Sequence, residues 1–206
     1  MKNGIFLLSF FFFSLFLHAQ DNHHEIGVDI QAASISNRGG AFGGAVKYAY
    51  VLSEDIAFGP SFRFQYLWSK DLYYGTQGKS FTWGGGAFFH YRFLQWLYVG
   101  AEVEVLKNPF TWVRPDKRWS LTAFVGGGFS HDFGPIRLNF GLLYDIADAV
   151  RDPYTSNPSP LSREYFIKVV DPKKPNFGKY VPLIYRLTFF IPIRPKVSTK
   201  ETDDYE

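Results

Sequence analysis

Beyond its first two dozen residues, the chain alternates apolar and polar side chains with a period of two in one segment after another, and no long segment shows a helical period. Successive side chains of a strand point to opposite faces, so this alternation gives each segment one apolar and one polar face. The segments run over residues 25–36, 42–52, 56–69, 81–93, 96–106, 119–132, 136–146 and 182–193. In the third, Phe58, Pro60, Phe62, Phe64, Tyr66 and Trp68 share one face and Gly59, Ser61, Arg63, Gln65 and Ser69 the other, with only Leu67 out of pattern. The fifth sets Leu97, Val99, Ala101, Val103 and Val105 against Gly100, Glu102 and Glu104. An all-β chain is expected, and most segments are close to the roughly 9 to 11 residues that a tilted strand needs to cross a bilayer.

The connections alternate in length. Residues 53–55, 94–95 and 133–135 make tight turns, whereas 71–79, 107–118 and 151–180 are polar loops containing Pro or Gly; only 37–41 is short among the latter set. Phe42, Phe81 and Trp119 each begin a Gly-rich strand about one hairpin apart, a weak repeat. Short turns on one side and long loops on the other predict a closed, antiparallel, up-and-down transmembrane β-barrel of about eight strands, with the turns in the periplasm. Residues 164–170, strand-like and followed by the breaker Asp171-Pro172-Lys173-Lys174-Pro175, are expected to extend the wall above the membrane. Pro60, which cannot donate to a ladder, predicts a local bulge.

Lys2, the apolar run 5–17 and the small residue Ala19 read as a secretory signal peptide over residues 1–19, leaving a barrel over 20–193 and a polar periplasmic tail over 194–206. The chain has no cysteine, so neither a disulfide nor a lipid-attachment thiol is expected. No later stretch is apolar for the roughly 18 residues of a membrane helix, so any crossing falls to strands.

Side-chain volume decides which face is inside. The rival is a secreted lipocalin-like barrel with its apolar face inward and a ligand in its interior. Aromatic residues make up 20% of the chain, and an eight-stranded interior is too narrow for rings from nearly every strand. The polar face instead carries small residues such as Gly84, Gly86, Gly126, Gly128 and Gly141. The aromatic face is therefore expected to meet lipid, with Tyr48, Tyr50, Tyr91 and Phe93 near the turns and Trp68, Phe81, Trp83 and Trp119 near the loops as interfacial girdles.

With a signal peptide, eight alternating segments, unequal connections and the aromatic final strand Tyr185-Arg186-Leu187-Thr188-Phe189-Phe190-Ile191, the chain resembles the small outer-membrane β-barrels of Gram-negative bacteria, the OmpA-transmembrane and OmpX-like group. The resemblance is one of architecture and covers nearly the whole mature chain. It implies location in the cell outer membrane and insertion by the barrel-insertion machinery. The sequence departs from the pattern in that a polar tail follows the final aromatic residue.

The expected lumen holds Lys47, Arg63, Arg92, Arg137 and Arg186 with Asp29, Glu102, Glu104 and Asp145, and His90 among them. Buried charges need partners, which makes a plug of paired charges the preferred reading and a narrow, porin-like channel the alternative. His90 reads as structural, and His23-His24 without further ligands makes no metal site. Ser130-His131-Asp132 is the one cluster that invites comparison with a lipid-modifying enzyme. Neighbours on a strand alternate faces, so His131 is not placed to act as a base for Ser130. No catalytic residue and no cofactor is expected.

The loops carry an excess of basic groups, of which Lys107, Arg114, Lys117, Arg118, Lys173, Lys174 and Lys179, with Trp112, Tyr154 and Tyr165 nearby, would suit the phosphates of lipopolysaccharide. The expected partners are outer-membrane lipid and lipopolysaccharide, the insertion machinery and an envelope or surface protein. The net charge of +3 is too small to point to nucleic acid, and no binding motif accompanies the basic residues. A structural or interaction role in the envelope is the function expected.

Overall fold

The computed structural model describes residues 23–193 apart from 37–38, 54, 71–76, 95, 112–113, 153 and 172; the expected signal peptide and polar tail lie outside the described residues. Eight strands close into one antiparallel barrel: β1 (His23–Ser36), β2 (Gly39–Ser53), β3 (Ile56–Lys70), β4 (Gln77–Phe93), β5 (Leu97–Lys107), β6 (Trp119–Asp132), β7 (Arg137–Asp145) and β10 (Leu183–Pro192). Each pairs with its neighbour in sequence, and β1 meets β10 through pairs such as Val28↔Phe189 and Ile30↔Leu187, which leaves the barrel no open edge.

Period-two patterning sets the register, because slipping any strand by one residue would turn its apolar set inward. Along β5 the polar residues Glu102 and Glu104 are buried inside while Val99, Val103 and Val105 are exposed outside. The same division runs through β3, where Arg63 and Gln65 face inward and Phe62, Phe64 and Tyr66 outward. Ring pairs stud the outer wall near both ends: Trp83 meets Trp119 edge-on at 5.3 Å towards the loops, and Tyr91–Phe93 and Trp96–Phe129 stack at 6.1 Å near the turns.

The turn at Phe133-Gly134-Pro135 is tight because Gly134 adopts φ 86° and Asp132 Oδ1 accepts its N–H at 2.7 Å. At Pro60 no bulge forms. The β2–β3 register is the same on both sides of it, Lys47↔Ser61 and Tyr50↔Phe58, and the β3–β4 ladder runs through Pro60↔Ala87 without a shift. The two pairs between are skipped instead, so the missing N–H costs local pairing rather than an extra residue.

Glycines on the inner face let neighbouring strands close in. A β-carbon at Gly128 would lie 2.0 Å from the carbonyl oxygen of Phe140 and 2.5 Å from the Cα of Gly141, both backbone atoms of β7. Gly128→Ala is therefore expected to destabilise the barrel by about 1–3 kcal/mol, the usual cost of overpacking. Urea unfolding followed by tryptophan fluorescence would measure it; a neutral substitution would mean that β6 and β7 can separate freely.

Between β7 and β10 the chain makes its longest excursion. It contains a one-turn helix, α1 (Ile146–Ala149), a 3-10 turn over Ser162–Glu164, and a separate hairpin of β8 (Lys168–Asp171) with β9 (Lys174–Tyr180). The strand-like stretch at 164–170 thus splits into an inward turn and the first half of an independent hairpin, and does not extend the barrel wall. No helix of the described residues is long and apolar enough to cross a membrane.

Candidate functional site

The barrel interior is filled in layers. Near the turns, Ala49, Val51, Ala57, Phe88 and Phe190 form an apolar layer, and near the loops Leu106, Phe124, Leu143 and Ile184 form another with Leu161 and Tyr165 of the long loop. Between them lies a charge network built by five strands. Period-two geometry brings it together: Asp29 of β1, Lys47 of β2, Arg63 of β3, Glu102 and Glu104 of β5, and Arg186 of β10 all sit on inward positions and are buried.

Glu102 is its hub. Its Oε1 accepts from Lys47 Nζ at 2.6 Å, its Oε2 accepts from Arg186 Nη1, and His90 Nε2 lies 3.4 Å from Oε1. Asp29 Oδ2 lies 3.1 Å from Lys47 Nζ and 3.5 Å from both Arg63 Nη2 and Arg186 Nη1, while Thr188 donates to Oδ1 at 2.6 Å. Arg63 grips Glu104 through two nitrogens, at 2.7 and 3.0 Å, and also donates to Gln31. Three carboxylates face three cations, so the network is neutral as a unit, and forked arginine pairs are the strong form of such contacts. Aromatic faces complete the cations' surroundings: Lys47 lies 5.2 Å from the Phe88 ring centre and Arg186 4.8 Å from that of Phe124.

Arg92 belongs to a second pair nearer the turns, donating to Glu25 at 2.6 and 3.3 Å. Arg137, expected in the lumen, instead sits at the turn-side rim, where it pairs with Asp132 at 3.2 Å and lines a cleft of about 480 Å³ with Asp55, Arg92, Trp96 and His131. It starts β7, so its inward position falls beyond the filled part of the barrel. Asp145 is buried, but its partners are not the lumen cations. It accepts from Asp148 N at 3.0 Å, capping α1, and from Ser159 Oγ and Tyr165 Oη at 3.1 and 3.2 Å. It fastens the long loop to the wall.

Four rings depart from the expected outward aromatic face, and parity along the strands is the signal that locates them. Phe88, Tyr98, Phe124 and Phe190 fall on the polar parity of their strands and are buried. Glu25 shares the parity of Asp29 and was equally legible. Glu164, buried in the lumen mouth, had no such signal because it comes from a loop.

The remaining candidates are separated. His131 is exposed and packs on Phe133 at 4.5 Å, while Ser130 is buried and donates to Asn139 at 2.8 Å, so the two face opposite ways. His24 stacks on Tyr48 at 5.5 Å, and among the described residues no group of three or more metal-ligating side chains occurs.

The basic residues fall into two sets. Lys107 ends β5, Arg114, Lys117 and Arg118 belong to the β5–β6 connection, and Lys173, Lys174 and Lys179 to the β8–β9 hairpin. Arg114 is taken up by Asp116 at 3.0 and 3.1 Å, a hydrogen-bonded pair that holds the Asp116 carboxyl below its ordinary range. Tyr154 is exposed at the surface, whereas Tyr165, expected beside these groups, points into the lumen; Trp112 lies outside the described residues. No family model, curated protein or solved structure matches the chain.

Proposed function

We propose that the chain is an outer-membrane β-barrel protein of the cell envelope, of the OmpA-transmembrane and OmpX-like architecture, with a structural or interaction role. One observation carries the reading: the outer wall is a continuous apolar surface. Phe42, Phe62, Phe81, Val103, Trp119, Leu121 and Phe140 are each about half exposed on it. A patch of that extent far exceeds the few hundred Å² that a soluble monomer leaves bare, and a hydrocarbon surround removes its cost. Closure of the ladder supports the same reading, since lipid offers no partner for an open strand edge.

The filled interior favours a plug over a channel. Apolar layers stand at both ends of the neutral charge network, as a filled lumen of this width requires. What remains for interaction is the loop side, where Lys107, Lys117, Arg118, Lys173 and Lys179 would meet the phosphate-bearing headgroups of the outer leaflet and a surface or envelope partner.

Fractionation of cells producing the full chain tests the proposal. The protein is expected in the outer membrane, resistant to carbonate and urea extraction, with gel mobility that changes on boiling as a kinetically stable barrel opens. Recovery as a soluble periplasmic or secreted protein would overturn it.

A further inference from the structure

The long β7–β10 loop enters the barrel. Its 3-10 turn is held by Ser162 N–H donating to Ser159 O at 3.0 Å and Glu164 N–H to Leu161 O at 2.9 Å, and it pushes Leu161, Glu164 and Tyr165 into the loop-side mouth, each 6% exposed or less. Leu161 and Tyr165 join the upper apolar layer. Gln65 Nε2 donates to Glu164 Oε1, while Glu164 Oε2 and Gln65 Oε1 are buried with no hydrogen-bond partner.

Within the lumen, charge counting singles out Glu164; Asp145 also lacks a cation but accepts three hydrogen bonds from the loop. Lys47, Arg63 and Arg186 are matched by Asp29, Glu102 and Glu104, and Arg92 by Glu25. Glu164 is a surplus carboxyl in a place that water does not reach, and a buried carboxylate without a cation of its own is strongly disfavoured against the neutral acid. We infer that this turn is a proton-controlled stopper, seated in the barrel mouth while the Glu164 carboxyl is neutral and released when that carboxyl ionises.

The groups facing Glu164 agree with this. From β3 it faces Arg63 and Gln65, from β10 Arg186, from β5 Glu104 and from β1 Asp29. On β2, which also packs against the turn, Lys47 is committed to Asp29 and Glu102. Burial pushes the Glu164 carboxyl up from 4.5 to about 7; Arg63 and Arg186 oppose the rise, and Glu104 and Asp29 add to it. The seated state therefore holds the proton more tightly than the released one. Seating is strongest below pH 4.5, weakens as the pH rises towards 7, and changes no further above that. Across this window the opening equilibrium is expected to grow on the order of a hundredfold, at tenfold per unit of difference.

The inference rests on the barrel and the loop alone and holds whether or not the wall meets lipid. It is tested by hydrogen exchange of the amides of residues 159–167 in the full folded chain from pH 4.5 to 8.5, corrected for intrinsic exchange rates. Protection in the native protein is expected to fall by about that factor and then level off. Glu164→Gln keeps the contact to Gln65 but cannot ionise, and should hold protection constant across the range. Tyr165→Phe loses the hydroxyl on Asp145, and should exchange faster at every pH with the slope retained. A flat native profile would overturn the inference, and needs no variant to be seen. So would a native-like slope in Glu164→Gln, or loss of the slope in Tyr165→Phe, which would assign the titration to Asp145.

Discussion

Glu102→Leu is expected to destabilise the barrel by about 3–5 kcal/mol, the cost of leaving buried charge unpaired. The substitution removes the partner of both Lys47, at 2.6 Å, and Arg186, each fully buried. Asp29 and Glu104 would then face three cations. Asp29 already lies between 3.1 and 3.5 Å from all of them, so it has no further contact to offer. Restoring the balance should restore stability: Glu102→Leu combined with Lys47→Met leaves two carboxylates against two cations, and the pair is expected to couple by at least about 1.5 kcal/mol. Equilibrium urea unfolding of the four proteins gives the cycle. A loss under about 1 kcal/mol for Glu102→Leu would mean that water screens the network. The lumen would then be wet, and the closed interior on which the structural reading depends would give way to a channel.

The network was legible because the sheet period is a local property. Once Glu102 and Glu104 are on one face of β5, the ladder places Arg63, Lys47, Asp29 and Arg186 on the same interior whatever the barrel's exact tilt. The same rule accounts for Phe124 and Phe190, whose parity outweighs their apolar character and which serve as platforms for Arg186 and Arg92. Arg137 obeys the parity and still misses the lumen, because distance along the barrel axis depends on strand stagger, which alternation does not encode. The long loop was beyond reach for a different reason. Its path is set by Asp145 receiving the hydroxyls of Ser159 and Tyr165, contacts across 14 and 20 residues that no period announces. Residues 164–170 look like a strand, yet the first of them turns into the lumen while the last pair with β9.

Phe62→Arg separates lipid from water as the surround of the wall. Phe62 is 50% exposed at the middle of β3, opposite Val46 on one side and Gly85 on the other, and lies between the two rings of girdle aromatics. Its side chain touches no lumen group, so the substitution leaves the interior network intact. In a bilayer, an arginine at this depth has neither water nor a counter-ion in reach, and the expected cost is about 2–4 kcal/mol in urea titrations of the vesicle-inserted barrel. The same exchange at Trp96, beside the turns, should cost no more than about 1 kcal/mol, because a long side chain there reaches the headgroups. In water the order would vanish: an arginine on an exposed apolar wall would be neutral or would improve solubility at both positions. A steep dependence on depth along the wall is a property that only a membrane can impose on an otherwise uniform ladder, so equal costs at Phe62 and Trp96 would sink the outer-membrane reading even if the barrel itself folds as described.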